Sequence, residues 1–196
     1  MRHAFTGAVF ALTLPLAACF DADVVADFND PEAVRLEAVM QMAPDTYQLA
    51  LSLGGDPCPE GVAEEHSDGS MTCTLREVRS LDELIALQDA PDNDFEFGEG
   101  ISIEEFGGGL VAISFDLSEM FSELPPPEER AQASMMFGDA FDGHGVTMRV
   151  VGEEIISTNG EIVDGGTTAR FYLPLELLFT GGPGDYPETF DVTLRP

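Results

Sequence analysis

Apolar and polar residues alternate along most of the chain beyond position 20, and this period-two pattern predicts strands. Residues 20–28 and 34–42 alternate on either side of the turn sequence Asn-Asp-Pro-Glu, so together they predict a hairpin. The same pattern predicts further strands over residues 71–78, 101–106, 110–117, 145–151, 155–158, 161–163 and 167–173, with a last edge strand near residues 189–194. The chain is therefore expected to be rich in antiparallel sheet.

Three stretches predict short helices between these strands. Residues 44–53 begin at Pro44 and end at a Gly-Gly pair, and Ser80 and Glu83 have the S-x-x-E spacing of a capping box. The third stretch, residues 128–141, follows three consecutive prolines. The expected fold is α+β: an antiparallel sheet with two or three short helices packed on it, in a single domain.

The first 18 residues have a different character. Arg2 precedes an apolar run that is too short to cross a bilayer as a helix but has the form of an export signal. The run ends in Leu-Ala-Ala followed by Cys19, which resembles the bacterial lipobox, where cleavage before the cysteine is coupled to its lipidation. We expect residues 1–18 to be removed and Cys19 to be lipidated. The alternative is an ordinary signal with an incidental cysteine.

The cysteine count agrees with lipidation. Of three cysteines, Cys19 would carry the lipid and Cys58 and Cys73 would remain as an even pair. A disulfide between them closes a loop of about 15 residues and contributes about 3 kcal/mol in the chain-entropy model. A metal site is the alternative, but only His66 lies nearby as a further ligand, and we expect no metal.

The chain is strongly acidic. It has 37 acidic and 8 basic residues, all of the latter arginine, for a net charge of −29. This charge opposes binding to nucleic acid and flat adsorption to anionic lipid. A hydrophobic content of 44% nevertheless predicts a folded core.

Candidate catalytic groups are few. Beyond residue 18 the only histidines are His66 and His144, and no nucleophile-elbow, zinc-protease or phosphate-loop motif occurs. Asp92, Asp94 and Glu96 have the spacing of a calcium loop, but Phe97 stands where that loop needs glycine. We expect no catalytic residue, no cofactor and no dedicated metal site, and hence no enzyme.

The helix predicted over residues 128–141 carries the candidate residues for an apolar ligand. Met135, Met136, Phe137 and Phe141 place adaptable and aromatic side chains on more than one of its faces. These side chains could line a cleft over the sheet. The alternative is that the helix simply covers the sheet.

Three stretches resemble the LppM-type lipoprotein domain family. They are the start "CFDADVVADF", the strand and helix start "LREVRSLDEL", and the late strand pair "RVVGEEIISTNGEIVDGGTTARFYL". The resemblance implies a lipidated cysteine followed by an α+β domain of the cell envelope, with lipid as the suspected ligand.

These observations predict a leader over residues 1–18, a lipid-anchored domain over 19–180 and a Gly/Pro-rich tail over 181–196. The expected function is that of a non-enzymatic envelope lipoprotein that binds a lipid or other apolar ligand. The alternative is an anchored scaffold or assembly factor that binds another envelope protein. The predicted location is the periplasmic side of the envelope, with the outer membrane favoured over the inner, and nucleic acid is not an expected partner.

Overall fold

The computed structural model describes residues 20–52, 56–88, 100–118, 126–181 and 184–196, without the side chains at positions 20, 49, 127, 133 and 136–140. The strands are β1 (Phe20–Asp27), β2 (Val34–Met42), β3 (Val62–Glu65), β4 (Met71–Arg79), β5 (Ile101–Phe106), β6 (Leu110–Asp116), β7 (Gly145–Val151), β8 (Glu154–Thr158), β9 (Glu161–Val163), β10 (Thr168–Pro174) and β11 (Thr189–Arg195). The α-helices are α1 (Pro44–Ser52), α2 (Leu81–Gln88), α3 (Pro127–Phe141) and α4 (Leu175–Thr180).

The strands form two sheets. One has seven strands in the order β3-β4-β2-β1-β7-β10-β9, and the other has four in the order β5-β6-β11-β8. The α+β class is confirmed, but the strands form two sheets where one was expected. The larger sheet is also mixed, because β1 pairs parallel with β7 while its other neighbour, β2, is antiparallel.

The two sheets bury a shared core. On the larger sheet, the inward positions of β1, β7 and β10 include Ala26, Val150 and Ala169, which are almost fully buried. On the smaller sheet, the inward positions of β6 and β11 are all apolar: Val111, Ile113, Phe115, Phe190, Val192 and Leu194. Phe190 stacks between Phe115 and Phe171, at centroid distances of 5.6 and 5.4 Å, so aromatic rings join the two layers.

The last strand differs from its prediction. Residues 189–194 were expected at an edge, in a tail outside the main domain, but β11 lies between β6 and β8 in the smaller sheet. Three of its side chains, Phe190, Val192 and Leu194, are buried in the shared core. The edge assignment is wrong because alternation identifies a strand without showing how many neighbours pair with it.

Two short elements have no counterpart in the predictions. The strand β3 lies inside the loop between the cysteines and pairs with β4. The helix α4 follows Pro174 and buries Leu175, Leu178 and Phe179. Both elements have six residues or fewer, too short for a periodic pattern to develop.

The capping box of α2 is confirmed. The Ser80 amide donates to Glu83 Oε2 at 2.9 Å, and the Glu83 amide donates to Ser80 Oγ at 3.3 Å. The hydrogen bonds from Ser80 lower the pKa of Glu83 below its ordinary value of 4.5. Within the described part of the chain, no helix has the length and hydropathy needed to cross a membrane.

Candidate functional site

Part of the inner face of the seven-stranded sheet is only half covered. Val24, Ala38 and Leu75 lie side by side on β1, β2 and β4, and Met40 lies in the next row. Strand alternation places them on the face that carries buried Ala26, but each is only half-buried. Among the described residues they belong to neither hydrophobic cluster. We call these four residues the apolar strip.

A small disulfide-linked cluster borders the apolar strip. Cys58 and Cys73 form a disulfide with their Cα atoms 5.6 Å apart, so the predicted pairing is present in the structure. Cys58 packs with Tyr47 of α1 and fully buried Met71 of β4. This cluster holds α1 at one end of the sheet. The apolar strip therefore lies between the cluster and the main core.

Two further features fix this cluster. The Tyr47 hydroxyl donates to Glu65 Oε1 of β3 at 2.5 Å, and this hydrogen bond raises the pKa of Tyr47 above its ordinary value of 10.0. Gly61 passes so close to the disulfide that an added Cβ would lie 2.9 Å from each sulfur atom. The loop between the cysteines is therefore tightly packed at Gly61.

A polar groove lies at the end of the same sheet where β1 begins. It has a volume of about 460 Å³, and both His66 and His144 line it, together with Asp21. His144 Nδ1 donates to Asp21 Oδ2 at 2.9 Å, and the Gly145 amide donates to Asp21 Oδ1 at 3.1 Å. These contacts tie the start of β1 to the turn between α3 and β7. We call this feature the histidine groove.

Among the described residues of the histidine groove, the His144–Asp21 pair has no hydrogen bond to a serine. The His144–Asp21 pair is exposed rather than buried, with 36% and 51% of the two side chains accessible. Ser70, the serine in the groove, donates its hydroxyl to Asp68 Oδ1 at 2.7 Å. This hydrogen bond lowers the pKa of Asp68 below its ordinary value of 3.8.

His66 Nε2 is hydrogen-bonded to Thr72 Oγ1 at 2.8 Å. Within the described ranges, no three His, Cys, Asp or Glu side chains are grouped as metal ligands would be.

The predicted ligand residues of α3 fall in different environments. Phe141 is buried and stacks on Phe179 of α4 with ring centroids 4.4 Å apart, so it belongs to the main core. Met135 is 82% exposed. The side chains of Met136 and Phe137 lie outside the described residues, as do Cys19 with the leader and the acidic loop at 89–99. A ligand-binding role for the α3 residues stays a prediction.

Sequence reasoning did not single out the apolar strip. Val24 and Met40 belong to strands that the alternation of apolar and polar residues predicted. What alternation does not give is how far the second layer extends over that face. The signal available in the sequence is the small size of Ala38 and the thioether of Met40, which suit an adaptable surface.

Comparisons with known proteins give little support for assigning a family. No family model and no curated protein matches the chain. One solved structure that resembles it is the NMR structure of the folded domain of LppM from Mycobacterium tuberculosis. That domain is 14% identical, the match covers 90% of this chain and 89% of that one, and the TM-score is 0.48. A likeness at this level is a distant structural relation and says nothing about ligand or location.

Proposed function

We propose that the protein is a lipid-anchored, non-enzymatic bacterial envelope lipoprotein that binds a lipid or another apolar ligand at the apolar strip. The observation that carries this proposal is the half-buried state of Val24, Ala38, Met40 and Leu75 on an otherwise inward-facing sheet surface. Apolar surface left in contact with water is stabilised when an acyl chain covers it, by about 0.8 kcal/mol per buried CH₂.

The strip is close to the expected anchor. The strand β1 begins at Phe20, directly after Cys19, and Val24 lies four residues further along it. At a strand rise of about 3.3 Å per residue this separation is about 13 Å. A domain tethered through Cys19 therefore holds the strip near the bilayer surface, where apolar ligands are available.

Mass spectrometry of the native full-length protein, extracted from the envelope in detergent, tests ligand binding. We expect a bound lipid-sized mass on the wild-type protein and its loss in Met40→Glu, because a carboxylate in the strip must be desolvated beneath an apolar ligand. Val39→Glu is the matched control, since Val39 is the neighbouring residue on the same strand and points to the opposite face. It should keep the bound mass.

Two results would contradict the proposal. One is a wild-type protein that carries no small molecule, and the other is equal occupancy of Met40→Glu and Val39→Glu. Circular dichroism of both variants verifies that the sheet is intact.

The anchor is tested separately with Cys19→Ser. We expect the unprocessed precursor to accumulate and labelled palmitate not to be incorporated, because the lipidated thiol is gone. Normal cleavage of this variant would contradict lipidation. Membrane fractionation of the wild-type protein tests the proposed outer-membrane location, which rests on Phe20 following Cys19 with Asp21 only at the next position.

An anchored scaffold or assembly factor is the alternative function. Partner strands add to long unpaired sheet edges, but the edge strands β3, β8 and β9 have four, five and three residues. The six-residue edge strand β5 is blocked at its middle, where the Gln88 side chain accepts from the Ile103 amide at 2.7 Å and donates to its carbonyl at 3.0 Å. These features make edge pairing the less favoured mode.

A further inference from the structure

The outer face of the four-stranded sheet forms a shallow trough. In one row, Glu104, Ala112, Thr193 and Ser157 lie on successive strands, and in the next row Ser102, Ser114 and Asp191 do so. The trough has a volume of about 500 Å³. Neighbouring strands are about 4.8 Å apart, so a row across the sheet is about 14 Å long. This length can hold a short oligomeric ligand.

Small side chains leave this trough open. Most positions along the two rows are Ala, Ser or Thr, which rise only a short distance above the sheet. The outer face of the seven-stranded sheet is covered by long side chains instead, where Arg149 is bonded to Asp23 and Arg170 to Glu161 at 2.6 and 2.5 Å. The difference shows that the trough is a property of this sheet's sequence and not of exposed sheets in the protein generally.

The polar groups of the trough are arranged to meet hydroxyl groups. Asp191 is fixed by two hydroxyl donors, Ser114 to Oδ1 at 2.6 Å and Thr189 to Oδ2 at 2.7 Å. Each carboxylate oxygen keeps acceptor capacity for a ligand. The hydroxyls of Ser102, Ser157 and Thr193 make no hydrogen bond to other described residues. They are free to donate or accept.

An aromatic ring stands at one end of the same face. Phe106 follows Ser102 and Glu104 at the i+2 spacing of β5, so it points to the outer side, and it is 48% exposed. An exposed ring beside hydroxyl and carboxylate groups offers a flat apolar surface together with directional hydrogen bonds.

Charge selects among possible occupants. The lining carries two carboxylates, Glu104 and Asp191, and among the described residues no arginine lines it, so an anionic ligand is repelled. Its exposed lining combines hydroxyl and carboxylate groups with apolar surface, so a matching ligand must offer both hydrogen-bonding groups and apolar faces. A neutral ligand that presents many hydroxyl groups and an apolar ring face satisfies both conditions.

We propose that this trough binds a neutral oligosaccharide, with Asp191 and the free hydroxyls bonding sugar hydroxyls and Phe106 stacking on a sugar ring. The site is on the opposite sheet from the apolar strip and does not depend on lipid binding there.

Titration of the full-length protein with maltotetraose, cellotetraose and chitotetraose tests the proposal. The protein is held in a zwitterionic detergent without sugar headgroups and observed by amide chemical shifts. We expect at least one tetraose to shift amides of β5, β6 and β11. Ala112→Arg, which fills the trough, should abolish the shifts, and Phe106→Ala should weaken binding by about 5- to 20-fold.

Tyr172→Ala is the matched control for the ring. Tyr172 is 46% exposed on the outer face of the other sheet, and its removal should change the affinity less than about twofold. Thr193→Arg is a second filling variant in case Ala112→Arg does not fold. The proposal is overturned if no tetraose shifts the trough amides, if both filling variants bind normally, or if the anionic control trigalacturonate binds as well as the neutral sugars.

Discussion

The two halves of the seven-stranded sheet are held in different ways. Around β7, β10 and the end of β1 at Ala26, the inner face is covered by the main core, and residues such as Val150 and Ala169 reach zero exposure. Along β3, β4 and the part of β2 beyond Leu36, the buried cluster consists of Tyr47, Cys58 and Met71, and the neighbouring Ala38, Met40 and Leu75 stay half-buried. The first half is stabilised by packing, and the second depends on a covalent link. This difference leaves an apolar surface open where a ligand could bind.

The largest effect is expected from Phe190→Ala in the four-stranded sheet, which packs against the packed half. Phe190 is fully buried between Phe115 and Phe171, so its removal leaves a cavity and should lower the free energy of unfolding by about 3–5 kcal/mol. Denaturant titration measures the loss. Phe106→Ala on the exposed face is the control, with an expected change below about 0.5 kcal/mol. Equal losses in the two variants would remove the basis for distinguishing a packed half.

The double variant Cys58→Ser/Cys73→Ser tests the covalently held half. Its loop separation of 15 residues corresponds to about 3 kcal/mol in the chain-entropy model. Hydrogen exchange should accelerate in α1, β3 and β4 well before β7 and β10, because those elements lie next to the disulfide. A uniform acceleration over both sheets would mean that the two halves unfold as one unit.

Gly61→Ala tests the packing around the disulfide without removing the disulfide itself. The added methyl group would meet both sulfur atoms and the Thr74 carbonyl at 2.9 Å, so we expect a loss of about 1–3 kcal/mol. Gly107→Ala is the matched control, because nothing lies within 4 Å of a Cβ at that position. Thermal unfolding of the pair provides the measurement. Similar melting temperatures would show that the disulfide loop can shift at little cost.

The smallest effect is expected at the capping box of α2, which lies outside both halves of the comparison. Ser80→Ala should lower stability by about 1 kcal/mol. In the wild type, the folded-state pKa of Glu83 is lowered, so its contribution is present above the ordinary value of 4.5 and is lost as the pH falls through the folded-state value. The variant should lose part of this acid dependence. An unchanged pH profile of unfolding would assign the acid sensitivity to other carboxylates.

Local elements were largely predictable because their signals are local. The hairpin of β1 and β2, the hairpin of β5 and β6 and the capping box before α2 each depend on neighbouring residues, and all are present. The disulfide followed from counting cysteines, since two remain once Cys19 is set aside. Interactions between distant segments were harder. The parallel pairing of β1 with β7 joins residues more than a hundred positions apart, and no turn signal records it.

The candidate sites also combine features set by local sequence with features set by contacts between distant segments. The sequence determined which residues of β2 share a face and which residues of β5 share a face, because alternation is a property of the strand itself. Only the tertiary structure decided that Ala38 and Met40 are left half-covered while Val150 is sealed. It also decided that Asp21 meets His144, and that Ser114 meets Asp191. The physical reason is that burial and side-chain contact depend on where a second layer ends, and this is set by packing between segments far apart in the chain.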